Sequence, residues 1–171
     1  SLDMRILLEG EEFGRRYPGG FMRAVGDYET ASETDYSGKK FITYAGWNSK
    51  FSKPIPLPFQ RAMMEPYCVK NKIEYTSYEF ENEHCDWQPA LEQHIRSSKV
   101  DGIVLCSIYC LTDDVQRRNE ILHLALEKNV ELHFANELCS LKTKVDLERI
   151  NFYLGFAVNK KGDYVWETDE R

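Results

Sequence analysis

Residues 101–121 read DGIVLCSIYCLTDDVQRRNEI. From Ile103 to Leu111 the stretch is almost wholly apolar; at Thr112 it turns polar and carries Asp113, Asp114, Arg117 and Arg118 within two helical turns. An apolar run with no polar face is the pattern of a central strand in a parallel sheet covered on both sides. A Thr-Asp-Asp sequence opens a helix well, because such side chains accept from the unpaired first amides and suit the positive helix start. The arginines fit less well there, since the macrodipole disfavours cations at that end by roughly 0.3–1 kcal/mol. A negative group is therefore expected to compensate them: an internal carboxylate such as Glu81 or Glu137, or a bound anion.

The same alternation extends to both sides. KKFITYAGW has strand composition, and Pro58 can open a helix through QRAMMEPYCVKN, where Pro66 has no reason visible in the sequence. IEYTSYEF reads as a second strand, and Asp86 can cap a helix through QPALEQHIRSS. Past the central strand and its helix come the strand VELHFANE, the helix DLERINFYL capped by Asp146, and a short GDYV strand or turn. Repeated strand–helix order with right-handed crossovers gives an α/β fold, a small doubly wound parallel sheet of four or more strands. Residues 1–38 read differently: six glycines, little periodicity, and 4 basic against 8 acidic side chains. They are expected to form an N-terminal extension that packs on the domain or pairs with another subunit, or else a tail, with residues 39–171 forming the single α/β domain.

Composition narrows the function classes. The chain has 171 residues, 42% of them hydrophobic and 29% charged, with a net charge of −6. No run approaches the roughly 20 apolar residues of a membrane span. Five cysteines without a CxxC pair fit reduced thiols, a cytoplasmic setting and no metal site. No basic stripe stands out, so no nucleic-acid partner is expected. Neither GxGxxG nor GxxxxGK[ST] occurs, and no cofactor is expected.

In doubly wound sheets ligands sit beyond the carboxyl ends of the strands. That rule nominates four loops, at 47–53, 79–86, 107–114 and 135–143. They and their surroundings supply Ser49, Gln60, Glu81, Ser107, Tyr109, Arg118, His133 and Glu137. Each has an ordinary explanation: a solvated arginine, a core histidine, a loop serine, a carboxylate facing water. The functional reading gives His133, Glu137, Glu81 and Ser49 catalytic parts, as acid–base groups, orienting carboxylates and hydroxyl nucleophile. Arg118, Ser107, Gln60 and Tyr109 would then bind substrate.

The ordered set PLPFQRAMMEPYCVKNKIEY, ALEQ, DGIVLCSIYCL…RR and ELHFANE resembles the sporadic carbohydrate cluster proteins of bacterial surface-polysaccharide loci, over about residues 40–150. The resemblance implies surface-carbohydrate biosynthesis, with a sugar or sugar-phosphate partner and a possible homo-oligomer. Leu111-Thr112 departs from the family's expected proline. The topology is also similar to the catalytic domain of serine resolvases, but YAGWNS has Gly46 where that strand carries an arginine, and IYCLTDD lacks the Asp-Arg pair. Three functions follow as expectations: an enzyme acting on an anionic sugar, a non-catalytic partner of such an enzyme, and a degenerate resolvase-like protein acting on DNA.

Overall fold

The computed structural model describes residues 34–46, 55–81, 85, 87–97, 99–158 and 164–166, with residues 156–158 and 164–166 described by backbone alone. Strand β1 (Phe41–Ala45) leads into helix α1 (Leu57–Lys70), then β2 (Tyr75–Phe80), α2 (Pro89–Ser97) and β3 (Gly102–Leu105). A short 3-10 turn (Ile108–Cys110) precedes α3 (Val115–Glu127), β4 (Glu131–Phe134), β5 (Cys139–Leu141) and α4 (Lys144–Leu154). Strands β6 (Phe156–Val158) and β7 (Tyr164–Trp166) form a separate antiparallel pair.

The main sheet has the order β2-β1-β3-β4-β5. Its first four strands are parallel, as the alternation of elements requires, while β5 returns antiparallel to β4. That return was not expected from the sequence. It follows from a tight turn after β4 in which Leu138 takes a positive φ of 54°.

Burial explains why β1 and β3 are central. All five residues of β1 and all four of β3 are buried, as strands covered on both faces must be. Phe41, Tyr44, Ile103, Leu105, Leu132 and Phe134 are fully enclosed, each worth about 1.5–3 kcal/mol of burial. Helix α1 covers one face, where Tyr67 meets His133 and Gln60 meets Cys106. Helices α2 and α3 pack together, and the Gln88 side chain just before α2 meets Tyr44. The crossover from β2 over β1 to β3 runs opposite to that from β1 to β2, so the two right-handed connections fall on opposite faces.

Local chemistry shifts several boundaries. Pro58 sits in the first turn of α1, as anticipated, and Pro66 lies inside the helix. The apolar run after Asp101 is not one strand: it ends at Leu105, and Ser107 caps the 3-10 turn by accepting from Tyr109 N. Asp114, not Thr112, is the cap of α3. Thr143, not Asp146, caps α4, and Asp146 is its reciprocal partner in a capping box. Asp86 lies outside the described residues.

Gly102 lies close against the Phe41 ring of the neighbouring strand. A Cβ there would stand 2.3 Å from the Phe41 ring, which is itself fully buried. Gly102→Ala is therefore expected to destabilise the fold by about 1–3 kcal/mol through overpacking, read as a lower urea midpoint with an unchanged slope. A variant as stable as the parent would show that this strand pair tolerates extra volume.

Candidate functional site at the carboxyl edge

Three buried polar side chains tie the strand ends together. Gln60, on the first turn of α1, donates to the carbonyls of Gly46 (2.8 Å) and Ile55 (2.9 Å) and accepts from Gly46 N (3.2 Å). Gln88 donates to Cys110 O (2.7 Å) and to the Tyr44 hydroxyl (3.2 Å), and accepts from Thr112 N (2.7 Å). Glu81, at the end of β2, accepts from the Tyr44 hydroxyl (2.7 Å) and from the Ala90 and Leu91 amides at the start of α2. A carboxylate at a helix start is doubly favoured, by hydrogen bonds and by the helix dipole. Burial, then the charge of Glu81, raises the Tyr44 hydroxyl above its ordinary pKa, so Tyr44 remains a donor. Gln60 and Glu81, two of the expected site residues, therefore have structural partners that account for their burial.

Ser107 and Glu137 meet at the adjacent strand ends. The Ser107 hydroxyl donates to Glu137 Oε1 at 2.8 Å, and the Ile108 amide donates to the same oxygen. The Ser107 oxygen in turn accepts from Tyr109 N at 3.1 Å, which is the part Tyr109 contributes here. Glu137 Oε2 is enclosed and has no hydrogen-bond partner among the described residues, although the residue as a whole is partly exposed. Burial pushes the Glu137 carboxyl up to about 6, against the hydrogen bonds from Ile108 and Ser107 that favour its charged form. A group poised there can accept a proton above pH 6 and donate one below it, beside a hydroxyl.

His133 lies elsewhere. Its Nε2 stands 2.8 Å from Glu131 Oε2 and its Nδ1 2.6 Å from the Tyr67 hydroxyl. A carboxylate only accepts, so Nε2 carries the proton and Tyr67 donates to Nδ1. The rings of Tyr36, Phe41 and Tyr67 surround the imidazole edge-on at 5.0–5.7 Å. Burial lowers the His133 pKa despite Glu131, so the ring is neutral at pH 7. For Glu131, burial pushes the carboxyl up, but the hydrogen bond from His133, with Lys142 and the Tyr36 hydroxyl also favouring the charged form, leaves the group below its ordinary value. With both ring nitrogens taken, His133 is not brought together with Glu137, and it belongs to a Tyr36–Tyr67–Glu131 cluster under α1.

The arginine pair divides. Arg117 is only 4% exposed and donates to Glu92 Oε1 (2.6 Å) and Trp87 O (2.8 Å), with its guanidinium 4.8 Å from the centre of the Trp87 ring. Its compensating carboxylate is thus Glu92 on α2, with Glu120 at 3.4 Å, and not Glu81 or Glu137. Arg118 is buried at the start of α3. Ser49 lies outside the described residues. Among the described residues no group of His, Cys, Asp and Glu has the arrangement of a metal site, and no helix is long and apolar enough to cross a membrane.

Sequence reading missed three features. Cys106 and Cys110 hold their sulfurs 3.2 Å apart beside Gln60, and both thiols are buried. Gln88 takes a positive φ of 55°, which no pattern signals. The third is electrostatic: residues 39–72 contain seven basic side chains (Lys39, Lys40, Lys50, Lys53, Arg61, Lys70, Lys72) and one acidic, Glu65. The β1–α1 unit therefore carries +6, and the remainder of the chain −12, within a total of −6. An average over the whole chain conceals this.

No model of a known protein family matches the chain, and no curated protein does. Solved structures similar to it include the N-terminal catalytic domain of TP901-1 integrase, at 14% identity and a TM-score of 0.49, covering 67% of this chain and 90% of that one. Another is the C-terminal catalytic domain of ISC1926 TnpA, an IS607-like serine recombinase, at 15% identity and a TM-score of 0.45, covering 64% and 75%. The architecture is an α/β fold with a mainly parallel five-stranded sheet. These findings correct two expectations. The similar structures are catalytic domains of an integrase and of a serine recombinase rather than enzymes of carbohydrate biosynthesis, and nothing found supports the sporadic carbohydrate cluster family or its sugar partner. The expectation of no nucleic-acid partner is likewise withdrawn, the similar structures being titled integrase and recombinase domains.

The Glu137 carboxyl makes a signed prediction. Its folded pKa of about 6 lies above the ordinary 4.5, so the folded state holds the proton more tightly than the unfolded chain. Ionisation therefore costs stability: nothing below about pH 4.5, a growing amount up to about pH 6, and about 2 kcal/mol above it. Glu137→Gln is expected to gain on the parent by about that amount between pH 4 and pH 7 in urea unfolding. A stability difference that does not change with pH would contradict the assignment.

Proposed function

We propose that this chain is a resolvase-like nucleic-acid-binding protein that holds the phosphate backbone through its β1–α1 unit without the serine–arginine chemistry of a recombinase. The observation that carries the reading is the +6 charge of residues 39–72 in an acidic chain. Lys39, Lys40, Arg61, Lys70 and Lys72 are all exposed. Four of them gather at the amino edge of the sheet, where Lys39 N bonds to Tyr36 O and Tyr36 N bonds to Asn71 O, between Lys70 and Lys72. Clustered lysines neutralise phosphates and release counterions, and this drives sequence-independent binding. Catalysis of the recombinase kind is disfavoured at Gly46. It stands where a resolvase strand has its arginine, and its amide and carbonyl are both held by Gln60.

The test is duplex binding by fluorescence anisotropy as salt is raised from about 50 to 200 mM. Engagement of four or five phosphates gives a log–log slope of about −4. Charge reversal at Lys39, Lys40 and Lys70 together is expected to weaken binding at least about tenfold and to flatten the slope by about 3. Salt-insensitive binding, or an unaltered triple variant, would remove the proposal.

A further inference from the structure

Cys106 and Cys110 meet beneath the carboxyl edge, where the end of β3 passes into the 3-10 turn. Their sulfurs are 3.2 Å apart, and both lie near Gln60 Oε1, at 3.8 and 3.9 Å. A buried cysteine by itself is commonly a small apolar filler. This pair differs in that its two sulfurs touch and both main chains are anchored. Cys106 O accepts from Asn136 N at 2.8 Å, Cys110 N donates to Ser107 O at 3.0 Å, and Cys110 O accepts from Gln88 Nε2 at 2.7 Å. A disulfide holds its sulfurs about 2.05 Å apart, so side-chain closure of about 1.2 Å separates these thiols from a bond.

We infer that Cys106 and Cys110 are a reversible dithiol–disulfide pair, oxidised by hydrogen peroxide, whose bond closes a ring around residues 107–109. Peroxide suits the place because it is small and uncharged, while Cys106 is fully buried and Cys110 is only 2% exposed. In the first step Cys110, as thiolate, attacks one peroxide oxygen. The O–O bond breaks, the expelled hydroxide takes up the thiol proton as water, and Cys110 becomes a sulfenic acid. In the second step Cys106 gives up its proton and attacks the Cys110 sulfur. The S–S bond forms, the S–O bond breaks, and the departing hydroxide takes that proton as the second water. Two thiols are thereby oxidised and one peroxide is reduced. The hydrogen bond with Cys110, and then burial, push the Cys106 thiol up, so Cys106 keeps its proton until the second step. The ring encloses groups that the carboxyl edge uses: Ser107 and Ile108, within it, donate to Glu137 Oε1. Oxidation also removes the two S–H groups that face Gln60 Oε1, which keeps the Gly46 amide as a donor. This inference stands apart from the nucleic-acid reading and does not require it.

The experiment treats the full reduced chain with hydrogen peroxide, blocks the remaining thiols with iodoacetamide in denaturant, and maps the tryptic peptides by mass spectrometry. Cleavage after Lys99 and Arg117 releases residues 100–117, whose cysteines are Cys106 and Cys110. This peptide is expected to lose both alkylatable thiols, to be lighter by two hydrogens, and to regain both thiols with dithiothreitol. Cys106→Ser removes the resolving sulfur, so Cys110 is expected to stop at the sulfenic acid and to be labelled by dimedone. The bridge is read in the parent without any substitution, so the test stands even where the variant fails to fold. Both thiols still alkylated, at a peroxide dose that oxidises the part-exposed Cys85 and Cys139, would overturn the inference. So would sulfinic acid in place of the bridge, or a folded Cys106→Ser chain that takes no more label than the parent.

Discussion

The carboxyl edge holds together because two side-chain amides stand in for missing backbone partners. A parallel strand that ends inside a protein leaves its last amide and carbonyl without a ladder, and an unpaired buried backbone group costs about as much as a lost hydrogen bond. Gln60 satisfies both groups of Gly46, and Gln88 satisfies Cys110 O and Thr112 N. A glutamine amide presents one acceptor and two donor hydrogens, so a single side chain can serve a carbonyl and an amide at once. Gln88 does so from a left-handed backbone conformation, which costs a non-glycine residue roughly 1–2 kcal/mol. Its three hydrogen bonds offset that strain, and they place Thr112 and the start of α3 where the Arg117–Glu92 pair can form.

Around this frame the chain keeps two ionisable clusters apart. Glu137 with Ser107 lies at the carboxyl ends of β3 and β4, while His133 with Glu131, Tyr36 and Tyr67 lies beneath α1. They differ in what burial has done. Burial lifts the Glu137 carboxyl to about 6 with one oxygen lacking a partner among the described residues. His133 is held neutral, and its partner Glu131 is kept below the ordinary carboxylate range by the imidazole hydrogen bond. A histidine and a carboxylate four residues apart in sequence thus serve separate networks.

The sequence was legible where a local rule governs the outcome. A continuous apolar run marked β3 as central, strand composition marked β1, Pro58 marked the start of α1, and alternation gave the parallel order of the first four strands. It was illegible where long-range contact decides. Strand β5 has three residues and depends on the turn at Leu138, so nothing in CSL distinguishes it from a loop. His133 was grouped with Glu137 by the rule that sites form beyond the carboxyl ends of the strands; the better local signal was Glu131, two positions earlier and hence on the same side of the strand. Arg117 has the negative company expected of it, but Glu92 sits on another helix 25 residues away. The charge of the β1–α1 unit was readable throughout, and only totals taken over longer stretches hid it.

The two borders of the main sheet are unequal. Among the described residues β5 ends one border after three residues, a length too short to template much backbone pairing. At the other border β2 runs for six residues, YTSYEF, rich in aromatic and β-branched side chains and free of proline. Lateral growth of the sheet by an incoming extended peptide is consequently directional: it has twice the length of ladder to bond on the β2 side, alongside a solvent-facing Phe80.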